Sequence, residues 1–163
     1  MNASALNTAD LYDERGGELE SVSVQFQSLG GHTHFSGPVR TIRCFEDNAL
    51  VKTVLATPGH GSVLVVDGAG SLRTALMGDM IAASAVANGW AGVVINGCIR
   101  DVATLAGLAF GVQALAANPL RSAKRGTGVR DVQVAFAGLT CTPGQYLYAD
   151  EDGIIVADRP LES

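Results

Sequence analysis

Apolar and polar residues follow one another in short blocks along this chain, and the blocks predict its first helices and strands. Residues 4–15 carry apolar side chains among acidic ones and predict a short helix. Residues 22–26 and 39–45 alternate between apolar and polar, as half-buried strands do. Residues 48–56 carry apolar side chains at helical spacing, so we expect a second helix that Pro58-Gly59 ends.

The middle of the chain predicts strands and helices in alternation. Residues 63–66 form a continuous apolar run, which is typical of a strand buried on both faces. A glycine-rich loop then leads to a predicted helix over residues 80–87, and Asn88-Gly89 turns the chain into an apolar strand over residues 92–96, with Gly97-Cys98 as the next turn. This order predicts an α/β fold with some parallel pairing.

The last third of the chain predicts mainly strands. Apolar runs around residues 110–116, 132–136 and 153–156 are separated by Gly, Pro and Asp. No repeat, linker or low-complexity segment divides the 163 residues, and 47% of them are hydrophobic. We therefore expect one domain over residues 1–163 with a single aliphatic core.

Charge and cysteine content narrow the classes of function. Eleven basic against sixteen acidic residues give a net charge of −5, and the longest basic cluster is Lys124-Arg125, which argues against direct nucleic-acid binding. The apolar runs are shorter than the roughly 20 residues that cross a bilayer, and no targeting signal opens the chain, so a cytoplasmic location without membrane contact is expected. Three widely spaced cysteines predict reduced, buried thiols.

Two dipeptides place charged residues where apolar elements begin or end. Gly78-Asp79 opens the predicted helix 80–87, whose free N–H groups can hold a carboxylate. Arg100-Asp101 follows the apolar strand 92–96, and open α/β sheets bind ligands at the carboxyl ends of their strands. These two dipeptides are therefore expected to face one small anion, although a helix start and a surface turn would also explain them.

The chemistry that suits these residues is the handling of a 2-oxo acid through a divalent cation. Mg²⁺ or Mn²⁺ prefers oxygen ligands and can be held by one or two carboxylates plus the substrate, so Asp101 is the candidate metal ligand. Arg100 offers a planar fork of donors that matches a carboxylate or an enolate oxygen. Cleavage of the C3–C4 bond of a 4-hydroxy- or 4-carboxy-2-oxo acid would place negative charge where both can stabilise it.

Spacing and flanking motifs together resemble the RraA-like family. Twenty residues separate Asp79 from Arg100-Asp101, which is the D-x20-R-D pattern of that family. Four further segments also look like the family: Cys44-Phe45-Glu46-Asp47-Asn48, Gly68-Ala69-Gly70-Ser71, residues 89–95 and residues 148–155. The resemblance covers nearly the whole chain.

The resemblance implies a class II pyruvate aldolase that acts on 4-hydroxy-4-methyl-2-oxoglutarate and decarboxylates oxaloacetate. It also implies a homotrimer of a β/β/α swivelling-type domain with sites near the subunit boundaries. Carried onto this chain, Gly78, Asp79, Met80, Ile81 and Arg100 would bind substrate and Asp101 the metal. Arg100 and Asp79 would be catalytic, the latter by orienting a metal-bound water.

One position departs from the family pattern. Many family aldolases have a second acidic residue three positions after the metal-binding aspartate, where this chain has Thr104. A neutral side chain there is expected to weaken metal affinity or shift substrate preference, so decarboxylation stays as plausible as aldol cleavage. The branch of the family that binds and inhibits ribonuclease E need not retain the metal aspartate, and Asp101 therefore favours an enzyme.

Several other residues invite a functional interpretation that we consider weaker. His32-x-His34 has no third metal ligand nearby and is read as part of a glycine-rich surface loop. His60 is expected in an exposed turn and Cys98 in packing. The Asp67-Gly68-Ala69-Gly70 segment follows a predicted strand, but it lacks the G-x-G-x-x-G pattern of dinucleotide-binding sites, because position 73 is arginine and not glycine. We interpret Arg73 as a structural ion-pair residue or as a residue that supports the site from outside. A menaquinone methyltransferase, a label that family members have carried, would need a nucleotide-cofactor motif that is absent here.

Three functions stay open at this point. A pyruvate-forming lyase predicts metal-dependent turnover that is lost with Asp101. A regulator of ribonuclease E predicts protein binding that does not need Asp101. A trimer with a vestigial site predicts neither.

Overall fold

The computed structural model describes residues 7–161, which form a mixed α/β fold with a large mixed sheet and few helices. The helices are α1 (Thr8–Arg15), α2 (Ala49–Leu55), α3 (Asp79–Ala87) and α4 (Val102–Leu105), and a 3₁₀ turn follows α1 at Gly16–Glu18. The strands are β1 (Glu20–Ser21), β2 (Gln27–Ser28), β3 (Phe35–Arg43), β4 (Val63–Asp67), β5 (Gly92–Ile99), β6 (Gly111–Ala117), β7 (Val129–Arg130), β8 (Val134–Phe136), β9 (Leu139–Cys141), β10 (Tyr146–Asp150) and β11 (Gly153–Ala157).

The long strand β3 joins the two halves of the large sheet. Its first half pairs with β10 in the antiparallel sense, and its second half pairs with β4 in the parallel sense. Strands β4, β5 and β6 continue the parallel half, which confirms the predicted parallel pairing. The full order is β1-β11-β10-β3-β4-β5-β6-β2, with β7 on β3 and a separate β8-β9 pair.

Apolar residues cover both faces of the parallel half, as the continuous run in β4 predicts. Leu64 and Val66 face a core cluster that includes Val51 and Leu55 of α2. Val63 and Val65 face the opposite cluster, which is built with strands β8 to β11. Helices therefore pack on one face of the parallel strands and β-structure on the other, and the helical side is where the candidate residues lie.

The predicted strand over residues 22–26 is wrong. Only β1 and β2, on either side of it, pair with the sheet, and they do so at its opposite edges, on β11 and β6. Val22 and Ser23 each donate a backbone N–H, to Ile154 and Ala137, before the chain leaves that edge. A segment that crosses from one edge to the other has no partner strand along its length, so alternation alone does not make it a strand.

The predicted turn at Gly97-Cys98 is also wrong, because β5 runs through both residues to Ile99. Its pairing with β6 shifts register between Ile95 and Cys98. The other side of Cys98 is paired too, since its carbonyl accepts the N–H of Leu76 at 2.8 Å. Partners on both sides thus keep a glycine-containing segment extended and deliver Arg100 at its end.

The remaining predicted elements are confirmed with small shifts of their ends. Helix α1 ends at Arg15 as expected, and the predicted residues 4–6 lie outside the described part of the chain. Helices α2 and α3 and strands β3, β4, β6, β8 and β11 occupy their predicted segments. Strand β10 was not predicted, because its sequence shows no simple alternation. Among the described residues, no helix is both long enough and apolar enough to cross a membrane.

Candidate active site

A cavity of about 380 Å³ lies between α2, the start of α3 and the end of β5. All the residues predicted to bind substrate line it, and Asp101 adjoins it through Gly78 and Arg100. The lining residues are Asn48, Lys52, Ala56, Ala75, Met77, Gly78, Asp79, Met80, Ile81, Ser84, Arg100, Arg121 and Lys124.

The Asp101 carboxylate caps the N-terminus of α3. Its Oδ2 accepts the backbone N–H of Asp79 at 2.9 Å, which satisfies one of the free donors of the first turn. The Asp101 backbone is in the left-handed region, with φ 63° and ψ 43°, a conformation that aspartate tolerates better than most residues. This sharp turn after β5 directs the carboxylate to the helix and brings the two predicted dipeptides together.

Gly78 allows this close approach. A Cβ atom built on Gly78 would lie 2.5 Å from Asp101 Oδ2 and 3.3 Å from two atoms of the Arg100 side chain. The backbone φ of Gly78 is −130°, which other residues also adopt, so the space and not the backbone conformation requires glycine. The dipeptide Gly78-Asp79 therefore packs against both Arg100 and Asp101.

Arg100 is held at three points around the mouth of the cavity. Its backbone N–H donates to the carbonyl of Met77 at 2.9 Å, and its Nη1 donates to the carbonyl of Pro119 at 3.3 Å. Its Nε lies 3.9 Å from Asp101 Oδ2. Because these contacts leave part of the guanidinium fork free and the side chain is 39% exposed, Arg100 can donate to an anion in the cavity.

The other oxygen of Asp101 suits a hard cation. Within residues 7–161, Oδ1 has no hydrogen-bond or ion-pair partner, and the side chain is 36% exposed. A divalent cation of the Mg²⁺ type can bind through one such carboxylate, with waters and substrate oxygens as its remaining ligands. The protein thus offers one carboxylate oxygen, which fits a cation whose other ligands are waters and substrate oxygens.

Sequence reasoning missed the opposite wall of the cavity. Lys52 of α2 and the two residues that cap this helix, Asn48 and Ala56, are spaced four residues apart and line the same side of the cavity. Arg121 and Lys124 reach the cavity from the segment between β6 and β7. One sequence signal pointed to Asn48, namely its place in the family-like segment 44–48, and none pointed to Lys52, Arg121 or Lys124.

Buried Asp47 forms hydrogen bonds to both parts of this wall, the start of α2 and the loop after Lys124. Its carboxylate accepts the backbone N–H groups of Ala49, Arg125, Gly126 and Thr127 at 2.9–3.3 Å, and also the Thr127 hydroxyl. The same carboxylate thus contacts the start of α2 and the loop that carries Lys124. Burial alone raises the pKa of Asp47, but the hydrogen bonds outweigh it and lower that pKa from 3.8 to about 2.

We predict that Asp47 makes folding stability depend on acid pH. Because its pKa is lower in the folded chain, its ionised form stabilises the fold above about pH 4, and this contribution is lost as the pH falls towards 2. Asp47→Asn should lower the free energy of unfolding at pH 7 by about 1–3 kcal/mol. Urea unfolding at several pH values measures both effects, and a variant whose stability falls as steeply as the wild type between pH 4 and 2 would contradict the prediction.

The other residues singled out in the sequence have structural partners. Arg73 binds Glu46 through two hydrogen bonds of 2.7 and 3.1 Å, and Ser71 donates to the same carboxylate, so Arg73 is an ion-pair residue outside the cavity lining. Cys98 is fully buried, and burial raises the pKa of its thiol, which agrees with a packing role. His60 lies in an exposed turn, as expected.

His34 lies in a second group of potential metal ligands, away from the cavity. Its Nε2 is 2.9 Å from Glu151 Oε1, and ligand atoms of His34, Asp150 and Glu151 all lie within 4.8 Å of one another. The Asp150 carboxylate already accepts the N–H and hydroxyl of Thr8 and the N–H of Asp152. Asp150 therefore serves first to fix the start of α1 on the turn between β10 and β11.

Comparisons with known proteins show which family this chain resembles. The sequence model of the RraA-like family, described as Aldolase/RraA, matches residues 8–156. A Geobacillus kaustophilus structure described as S-adenosylmethionine:2-dimethylmenaquinone methyltransferase is 49% identical, with a TM-score of 0.94 over 96% of this chain and 97% of that one. The RNA-processing inhibitor RraA from Thermus thermophilis is 47% identical, with a TM-score of 0.93 over 97% and 96% of the two chains.

A more distant structure carries a related description. Streptomyces coelicolor RraAS2, described as an unusual member of the RNase ES inhibitor RraA protein family, is 29% identical. Its TM-score is 0.76, over 94% of this chain and 81% of that one. The match to the family model and the near full-length similarity to two structures lead to one conclusion: the chain belongs to the RraA-like family.

Proposed function

We propose that this protein is a divalent-metal-dependent lyase that forms pyruvate, by aldol cleavage of 4-hydroxy-4-methyl-2-oxoglutarate and by decarboxylation of oxaloacetate. The observation that carries the proposal is the meeting of Arg100, Asp101 and the N-terminus of α3 at one cavity. The Aldolase/RraA description of the family supports it.

In this proposal each residue has a distinct task. Asp101 would hold Mg²⁺ or Mn²⁺ through Oδ1, and the bound cation would supply Lewis-acid stabilisation of the negative charge that develops on the substrate. Arg100 donates to the substrate carboxylate and to the oxygen on which charge develops. Gly78, Asp79, Met80 and Ile81 form the substrate-binding start of α3, and the Asp79 carboxylate orients a water for proton transfer.

The two reactions share their bond changes. In aldol cleavage the C3–C4 bond breaks, the C4 hydroxyl loses its proton to the oriented water, and C4 becomes a carbonyl. In decarboxylation the same bond breaks and C4 leaves as carbon dioxide. In both cases the electron pair passes to C3 and the C2 oxygen, and protonation at C3 gives pyruvate, so positive charge from Arg100 serves both.

Pyruvate release tests this function. The purified protein would be incubated with each substrate and Mg²⁺ or Mn²⁺, and pyruvate would be followed with a coupled assay. We expect turnover that excess chelator removes and that returned metal restores. Turnover of neither substrate with either metal would overturn the proposal, and the ratio of the two rates measures the effect of a neutral Thr104, which lies exposed in α4.

A regulatory function is the second candidate, because two similar structures are described as RraA inhibitors of RNA processing or of RNase ES. In this alternative the chain binds and inhibits a ribonuclease of the E type. Binding would be measured by pull-down and by inhibition of RNA cleavage with wild type and with Asp101→Asn. Inhibition that survives the substitution, without pyruvate formation by the wild type, would favour the regulator.

We also propose that residues 1–163 form one domain of the β/β/α swivelling type and assemble as a homotrimer with sites near the subunit boundaries. Exposed apolar side chains such as Phe45, Leu72 and Leu120 support assembly, because they leave apolar surface for a partner. Light scattering coupled to gel filtration should give the mass of three chains. The mass of one chain would overturn the trimer.

A further inference from the structure

The cavity is longer and more positively charged than a pyruvate unit requires. Its α2 wall extends from Asn48 to Ala56, which is about 12 Å at the helical rise of 1.5 Å per residue. Arg100 and the start of α3, which we propose to bind the pyruvate unit, form only part of the cavity lining. A three-carbon acid held there would leave the remaining volume along α2 to another part of the substrate.

Positive charge is concentrated in this one cavity. Lys52, Arg100, Arg121 and Lys124 line it, which is four of the eleven basic residues of a chain whose net charge is −5. Asp79 is the single carboxylate among the lining residues. Such an excess favours a ligand that carries more than one negative charge.

Lys52 and Arg121 are not engaged by the protein itself. Within the described residues 7–161, neither side chain has a hydrogen-bond or ion-pair partner. Four arginines outside this pair, among them Arg40 with Asp131 and Arg73 with Glu46, have side-chain partners. What distinguishes Lys52 and Arg121 from most other unpaired cations on the described surface is that both line the cavity. Lys52 lies one helical turn beyond Asn48 on α2, and Arg121 is anchored by backbone pairing with Ala75, so they approach the cavity from two separate elements.

We propose that Lys52 and Arg121 form a subsite for the distal carboxylate of the substrate, which makes the cavity selective for 2-oxo dicarboxylates over 2-oxo monocarboxylates. This inference rests on the proposed function and adds to it the residues that determine specificity. Arg100 holds the 2-oxo acid end, and the two cations hold the far end by charge-assisted hydrogen bonds. The apolar residues Ala56, Met77 and Ile81 also line the cavity and suit the carbon chain of the substrate.

The test compares two ligands of equal length that differ in the distal carboxylate. Calorimetric dissociation constants would be measured for 2-oxoglutarate and 2-oxopentanoate in saturating Mg²⁺, since neither carries the 4-hydroxyl group that aldol cleavage needs. The wild type should bind 2-oxoglutarate at least tenfold more tightly. Lys52→Gln and Arg121→Gln should each reduce that preference about tenfold and leave the affinity for 2-oxopentanoate unchanged.

Arg125→Gln is the matched control, because it removes one positive charge next to Lys124 from a side chain outside the cavity lining. It should keep the wild-type preference. Equal binding of both ligands by the wild type, or an equal loss of preference in the control, would overturn the subsite. Inorganic phosphate is a further probe. A lower dissociation constant for phosphate than for 2-oxoglutarate, with phosphate binding that depends on Lys52 and Arg121, would also overturn the carboxylate subsite.

The binding experiment separates this inference from the proposed function. A wild type that prefers 2-oxoglutarate through Lys52 and Arg121 but forms no pyruvate would retain the subsite and remove the lyase. A wild type that forms pyruvate but binds both ligands equally would retain the lyase and remove the subsite.

Discussion

Asp101→Asn is expected to lower metal-dependent pyruvate formation about 10³-fold, the size of effect that follows from losing several kcal/mol of charge stabilisation. Asparagine keeps the shape and an oxygen that can still accept the N–H of Asp79, so the cap of α3 is retained. What is lost is the negative charge that holds the cation. The fold should therefore be preserved while metal affinity and turnover fall together.

Three measurements check this prediction. Calorimetry with Mn²⁺ measures metal affinity, the coupled assay measures turnover, and thermal unfolding shows that the variant is folded. Asp13→Asn, an exposed aspartate on α1 outside the cavity, makes the same chemical change and should behave as the wild type. Full turnover by the Asp101 variant, or loss of activity with unchanged Mn²⁺ affinity, would remove Asp101 as the metal ligand.

Gly78→Ala should lower kcat about 100-fold although Gly78 carries no functional group. The added Cβ would lie 2.5 Å from Asp101 Oδ2, so the carboxylate has to move, and 3.3 Å from Arg100 Cγ and Nε, so the guanidinium is pressed as well. A displacement of about 1 Å is enough to cost 10²-fold in rate when reacting groups must be aligned. The backbone conformation of Gly78 suits alanine, so stability should change little.

Gly107→Ala is the control for this substitution. Its added Cβ would meet only the carbonyl oxygen of Thr104, at an ordinary contact distance of 3.7 Å. It should keep wild-type activity and a wild-type melting temperature. A Gly78→Ala enzyme of normal kcat would show that the close packing of Gly78 against Asp101 and Arg100 does not serve catalysis.

The candidate residues at helix and strand ends were predictable because local sequence determines where they lie. Asp79 starts a helix and Arg100 follows an apolar strand, and parallel pairing brings such ends to one edge of a sheet. The misplaced turn at Gly97-Cys98 did not affect this outcome, since a longer β5 still ends just before Arg100.

The cationic wall could not be predicted, because it depends on contacts between distant segments. Lys124 reaches the cavity only because Ala123 donates its N–H to the carbonyl of Glu46 and because Asp47 binds the following loop. Arg121 reaches it through pairing with Ala75. Neither contact leaves a local pattern in the sequence. The same limit explains residues 22–26, because their alternation does not show whether a partner strand is present.

The central claim is that this cavity stabilises a pyruvate enolate, and hydrogen exchange at C3 of pyruvate tests it most directly. Pyruvate would be incubated in D₂O with the protein and Mg²⁺ or Mn²⁺, and loss of the methyl proton signal would be followed by NMR. The prediction is catalysed exchange that requires metal and is lost in Asp101→Asn. Exchange no faster than in buffer with metal alone would contradict the claim, whichever substrate the protein meets in the cell.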